Sequence, residues 1–204
     1  MKTIPAILII ITVLLFGCDT SPDLSVNNSE DNDPTSLYKT EIPLPNKSPL
    51  WEDSVLTMSQ EIDGSVGGRM IMEKYYIAEN GDSVLIKADL TIPKDAFQAT
   101  VTFTMTVDKE DAAIHFYPTM AFAETLKLFQ SFEGLNLENY QTGTIDFVFI
   151  ADDGSIELVK KNGTQVIIPQ GILRVQNAKL IHFSRYGWVR KSVSSGKIYP
   201  YHKN

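Results

Sequence analysis

Thr100-Val101-Thr102-Phe103-Thr104-Met105-Thr106-Val107 alternates without a break, with an apolar residue at each odd position and threonine at each even one. Successive side chains of a β-strand point to opposite faces, so this octet reads as a strand with one buried and one wet face. Clean alternation of that kind belongs to antiparallel sheets with a single packed face. The same period, punctuated by turn residues, runs from Val55 onward. Asn80-Gly81 separates strands expected over 75–78 and 83–86, and Asp153-Gly154 separates 145–150 from 155–159. Asn162-Gly163 separates the latter from 165–168, and all three dipeptides favour the left-handed backbone of tight hairpin turns. Further strands are expected over 113–117, 125–129, 173–183 and 188–190. The only helix candidates are short pieces near 49–54 or 94–97. About nine or ten short strands with regular turns predict an all-β fold, a single antiparallel β-sandwich.

Two strands are expected to end at a proline: Leu90-Thr91-Ile92-Pro93 and Val166-Ile167-Ile168-Pro169. Proline cannot donate to a central ladder, so each marks an edge or a corner. Gly64-Ser65-Val66-Gly67-Gly68 looks superficially like a phosphate loop, but it lacks the Lys-Ser/Thr end and feeds a strand. A turn is the expectation there.

The 204 residues suffice for one domain and a tether, and 43% hydrophobic residues suffice for a core. Eighteen basic against 25 acidic residues leave a net charge of −7. Nucleic acid is excluded as a partner, because phosphate neutralisation needs clustered Lys and Arg. An electrostatic hold on anionic lipid is disfavoured on the same ground. Cys18 is the only cysteine, so the folded part has no disulfide, thiolate metal site or cysteine nucleophile.

Met1-Lys2-Thr3 precedes an apolar run from Ile4 to Phe16 broken only by Pro5 and Thr12. One charge and a short apolar stretch have the form of a secretory leader, and the stretch falls short of the ~20 residues of a spanning helix. The junction Leu15-Phe16-Gly17-Cys18 resembles the bacterial lipobox, with a large apolar residue three before the cysteine and a small one directly before it. The resemblance implies cleavage after Gly17, a diacylglyceryl thioether on Cys18, and a further acyl (palmitate-type) chain on its amine. Two or three chains anchor stably where one would not. The expected place is a bacterial cell membrane or outer membrane, facing the periplasm or the exterior.

Residues 18–52 read as the lipidated cysteine and a disordered acidic tether. The stretch from Asp19 to Ser36 is poor in apolar residues and carries Pro22, Pro34 and clustered acids, too little to offset the entropy of ordering. Asp31-Asn32-Asp33 lacks the glycine and glutamate of a calcium loop, so a solvated linker is the better account. The sandwich is expected over 53–192, followed by a C-terminal tail over 193–204.

A family resemblance covers about 55–190. Gly67-Gly68, the run from Val84 through Pro93 to Ala96-Phe97, Thr102-Phe103-Thr104-Met105 and Phe116-Tyr117-Pro118 look like the ZU5-like β-sandwich of bacterial surface proteins. His182-Phe183-Ser184-Arg185-Tyr186 is similar to the HFSxY closing strand of such chains. The resemblance implies a non-catalytic sandwich used as a binding or structural module. It supplies no catalytic residues.

The search for chemistry agrees with that implication. His115, His182 and His202 lack the spacing of a zinc helix, and no HExxH or Gly-x-Ser-x-Gly is present. His182 and Ser184 flank Phe183 and do not form a recognisable nucleophile–base arrangement. No enzyme activity, metal or cofactor is expected. Tyr186, Trp188, Tyr199 and Tyr201 are the candidate binding residues, as a sugar-stacking platform or a protein contact. The competing account packs these rings under the last strand and tail. In the closing strand itself, Ile181 and Phe183 are expected inward and His182 nearer the surface, with Leu180 on the face of His182. The expected function is a membrane-anchored envelope lipoprotein binding an envelope protein or acting structurally, or alternatively binding a glycan.

Overall fold

In the computed structural model, which describes residues 38–49 and 56–191, the threonine octet forms a strand with Phe103, Met105 and Val107 buried and the threonines turned outward. Twelve strands occur among the described residues. In chain order they are β1 (Tyr38–Glu41), β2 (Thr57–Asp63), β3 (Gly68–Ile77), β4 (Ser83–Ile92), β5 (Thr100–Val107) and β6 (Ala113–Tyr117). There follow β7 (Ala121–Glu133), β8 (Ile145–Ile150), β9 (Ile156–Leu158), β10 (Gly163–Ile167), β11 (Ile172–His182) and β12 (Arg185–Lys191).

They pair antiparallel into two sheets, as an all-β sandwich requires. The first runs β2-β5-β6-β12-β8-β9, with β1 also on β12, and the second runs β10-β11-β7-β4-β3. The aliphatic and aromatic residues of the two inner faces form one core, including Met70, Ile86, Leu90, Phe103, Phe116, Leu128, Phe147, Val175 and Trp188. The chain changes sheets at short crossings whose residues fit the crossing. Between β2 and β3, a Cβ on Gly64 would lie 2.1 Å from the Phe97 carbonyl oxygen, so only glycine fits that turn. Pro93 follows β4 where the chain leaves the second sheet for β5 in the first, which is the corner its ring suggested.

Two of the three expected hairpins form: β3–β4 turns at Gly81 (φ 87°) and β8–β9 at Gly154 (φ 81°). Asn162-Gly163 makes no hairpin. Gly163 already pairs with Gln176 of β11, so the dipeptide lies where the chain passes from β9 to the other sheet. Of the helix candidates, residues 94–97 are a turn, and 50–55 lie outside the described residues. Short 3-10 turns occur instead at Thr142–Thr144 and Ile168–Gln170.

The tether boundary also needs correction. Residues 38–49 belong to the sandwich and not to a linker. β1 pairs with β12, Ile42 and Leu44 are core residues, and the Tyr76 hydroxyl donates to the Pro45 carbonyl at 2.7 Å. Burial pushes the Tyr76 hydroxyl up to about 12. A four-residue strand is too short to show a period, and its pairing partner lies about 150 residues away along the chain.

The closing strand departs from expectation at two residues, Leu180 and Ile181. Phe183 is fully buried, as expected, but Leu180 is buried too and Ile181 is 58% exposed. The β11–β7 register shifts between Leu180 and His182, and the chain then leaves the second sheet for the first. Alternation restarts across that irregularity, so Leu180 and Phe183 both face inward although three positions separate them.

Candidate functional site

The richest polar cluster is built by three remote segments meeting on the outer side of the first sheet. β12 places Arg185 opposite His115 of β6, and β6 pairs in turn with β5 at Thr106. The turn between β5 and β6 supplies Asp108 and Asp111. β1, pairing farther along the same edge of β12, brings Glu41. Arg185 is the hub. Its Nη1 donates to Glu41 Oε1 at 2.9 Å, and its Nη2 reaches Asp108 Oδ2 and Asp111 Oδ2, each at 3.1 Å. Nη2 also contacts Glu41 Oε2.

Asp108 is the best satisfied carboxylate. Its Oδ1 accepts the Glu110 and Asp111 amides at 2.8 and 3.0 Å, and its Oδ2 lies 2.9 Å from His115 Nε2. Burial alone would raise its pKa. The His115 contact, the two amides and the Arg185 charge outweigh that and hold Asp108 well below the usual carboxylate range. Glu41 and Asp111 go the other way. Burial raises both, and carboxylate neighbours add to the rise beyond what Arg185 takes back. Arg185 is itself partly desolvated, but the surrounding carboxylates raise its pKa further. Three carboxylates thus enclose one guanidinium, which sits where a bound cation would otherwise be needed. The cluster works chemically as a clamp joining β1, the β5–β6 turn and β12, not as an acid–base pair open to substrate. A groove of about 540 Å³ lies over it, with the side chains of Thr106, His115 and Tyr117 along its wall.

The clamp predicts an unusual acid limb. Asp108 has a depressed folded pKa, so its contribution is present above the ordinary aspartate value and is lost as pH falls through the folded one. Exposed Asp63 and Asp153 act in the same sense, held low by side-chain and backbone contacts from Ser65 and Ser155. Glu41 and Asp111 have raised folded pKa values, so their ionised forms cost stability near neutrality and that cost is relieved as pH falls through them. The melting midpoint at about pH 5 should therefore be no lower than at pH 7, with collapse below about pH 3. Glu41→Gln with Asp111→Asn should remove the mildly acidic plateau. A midpoint falling steadily from pH 7 to pH 5 in the unaltered protein would show that these two carboxyls are not raised.

The residues expected to bind a partner are placed differently. Tyr186 and Trp188 are each only 1% exposed and belong to the core, so neither offers a ring face to a sugar or a protein. The reason is their parity on β12: both share the inner face, against Phe147 at ring-centroid distances of 6.3 and 5.4 Å. The Tyr186 hydroxyl donates to the His182 carbonyl at 2.8 Å, and burial, with the Glu157 charge, still pushes its pKa up. Cys18, Tyr199, Tyr201 and His202 lie outside the described residues. Exposed aromatic surface appears elsewhere. Tyr117 is 49% exposed, and its ring lies parallel to that of His115, 3° apart in plane with centroids 6.1 Å apart.

Comparison with family models, curated proteins and solved structures finds no match to this chain. Among the described residues, no helix is long and apolar enough to cross a membrane.

Proposed function

We propose that the chain is a lipid-anchored protein of the bacterial cell envelope whose ZU5-like sandwich serves, without catalysis, as a protein-binding or structural module. The anchor rests on Leu15-Phe16-Gly17-Cys18 and on the absence of any other cysteine. The observation that carries the module reading is how the chain enters the fold. β1 lies beside β12 within the first sheet, with Tyr38 opposite Lys191, and the next turn continues the docking. The Ile42 amide donates to the Trp188 carbonyl at 3.0 Å, and the Ala112 amide to the Ile42 carbonyl at 2.7 Å. Tension arriving from Cys18 would load β1 along its length, against its ladder and the Glu41–Arg185 pair together. That suits a domain held at one end by a tether. For the partner, β3 is an edge strand that presents Ile71 at 55% exposure, the kind of surface protein contacts use.

Cys18→Ser should abolish fatty-acid labelling and release the protein from the membrane pellet. Continued labelling, and sedimentation that survives a salt wash, would remove the anchor and the reading with it. Crosslinking in native membranes followed by pull-down identifies the partner.

A second reading, a glycan-binding surface lipoprotein, is favoured by the His115–Tyr117 ring pair beside the polar groove. Sugars stack on exposed aromatic faces while charged planar groups fix their hydroxyls. Tyr117→Ala should then weaken binding of an envelope glycan about ten-fold or more. Its stability should change by only about 0.5 kcal/mol, as for most surface substitutions. Absence of saturable binding to any envelope polysaccharide tested by titration eliminates this alternative.

A further inference from the structure

Where β11 ends and the chain crosses to β12, a slot opens between the two sheets. Its floor is apolar, formed by Phe149, Val159 and Tyr186, all buried. Its rim carries Ile181 at 58% and Leu158 at 47% exposure. The recess measures about 320 Å³. A second recess of about 440 Å³ adjoins it, running over Met120 and Phe183. Phe149, Glu157 and His182 line both, so the two form one elongated depression following the chain from Lys179 to Ser184.

The two ends differ in charge. At the first, the Lys179 amide donates to the Lys160 carbonyl at 2.8 Å, which sets two exposed lysines side by side. Among the described residues, no ion pair engages either of them. At the other end stands Asp152. On a chain of net charge −7, the first recess sets these two lysines against the single carboxylate of Glu157, a local reversal of sign. The volumes fall within the ~300–1,000 Å³ of small-molecule sites, which are likewise mostly apolar with a few placed polar groups. A protein partner would need roughly 1,000 Å² or more of matched surface, which a narrow slot does not provide.

We infer that this slot binds a single free medium-chain fatty-acid anion. The carboxylate lies between Lys160 and Lys179, where charge-assisted hydrogen bonds from two ammonium groups hold it. The hydrocarbon chain crosses Phe149, passes His182 and ends near Met120, leaving water along its length. Asp152 disfavours the reversed orientation. The slot adjoins the start of β12, whereas Tyr38 pairs with Lys191 at its end, so the inference stands apart from anchoring through Cys18.

The test uses the full chain carrying Cys18→Ser, so that no acyl group of its own competes. Titration calorimetry with laurate should show one site per chain, bound about ten-fold or more tighter than dodecanol at low salt. Lys160→Gln with Lys179→Gln should bring laurate down to the dodecanol level. Ile181→Asp, at an exposed position, should weaken both ligands, and laurate should shift the Met120 methyl resonance. The proposal is overturned by absent saturable laurate binding, by equal binding of laurate and dodecanol, or by laurate affinity that the double lysine variant leaves unchanged. Binding of a lysophospholipid with none of laurate overturns it as well. Cys18→Ser is common to every arm, so loss of the anchor and failure of the slot are read separately.

Discussion

Arg185→Leu should lower the unfolding free energy by about 3–5 kcal/mol, the range for removing one partner of a buried ion pair. That is a large part of the ~5–15 kcal/mol available to a domain of this kind. The side chain is 17% exposed and is hub to Glu41, Asp108 and Asp111, whose own side chains are 15–29% exposed. Without the guanidinium, three partly desolvated carboxylates face one another with only His115 nearby. The cost is therefore mainly the stranded negative charge and not the worth of any single contact. A double-mutant cycle separates the two. If stranding dominates, Glu41→Gln added to Arg185→Leu should cost much less than the sum of the single changes. Urea midpoints at constant slope supply the measurement. A loss below about 1 kcal/mol for Arg185→Leu would place the cluster among surface ion pairs of little consequence, and β1 would then be held by its ladder alone.

None of that cluster was visible before folding. Glu41 falls within the expected tether, Asp108 and Asp111 fall between two expected strands, and Arg185 falls inside the closing motif that carries the family resemblance. Each is ordinary alone. Only the shared edge of β12, with β6 on its first half and β1 on its second, brings them together. Two segments of a sheet this far apart in sequence leave no local signal of their meeting. The one available hint is Arg185 itself, a charged residue directly before the apolar run of Tyr186, Trp188 and Val189.

The strands themselves were legible wherever alternation was undisturbed, as in β5. β7 shows what obscures it. The expected strand stopped at residue 129, but β7 runs on to Glu133. The reason is Gln130 and Ser131, both fully buried, which break the apolar pattern of Leu126, Leu128 and Phe132. Gln130 shares the inward parity of those three, and neither of its amide atoms has a hydrogen-bond partner. A polar residue on the inner face erases the periodic signal while the backbone continues through it. The aromatic candidates failed for a related reason: Tyr186 and Trp188 are two apart, hence on one face, and the pattern alone does not say which face is wet. Their parity against Arg185, which needs solvent or partners, points inward.

The same parity argument bears on the crossing from β11 to β12, where fold and function can be pulled apart. Phe183 sits among the rings of Phe103, Phe122 and Phe116, with centroids at 4.8, 4.8 and 5.2 Å, and it is fully buried. Its amide donates to the Met120 carbonyl at 2.8 Å, so the backbone is held at the point where the chain leaves one sheet for the other. Phe183→Ala should cost about 3–5 kcal/mol, through lost transfer energy and a cavity that two sheets cannot close over. His182 is different. Its side chain is 27% exposed, 3.8 Å from Glu157 Oε2, with its ring edge-on to Phe149 at 4.3 Å. His182→Ala should cost about 1 kcal/mol or less, because the polar contacts it loses face water. Thermal and urea unfolding of the two variants decide between a fold signature and a site. Comparable losses would mean that the ring of His182 is a structural wedge between the sheets. An unchanged melt for His182→Ala together with abolished laurate binding would show that the His182 ring in the slot wall touches the ligand, with Phe183 the strut that keeps the slot open.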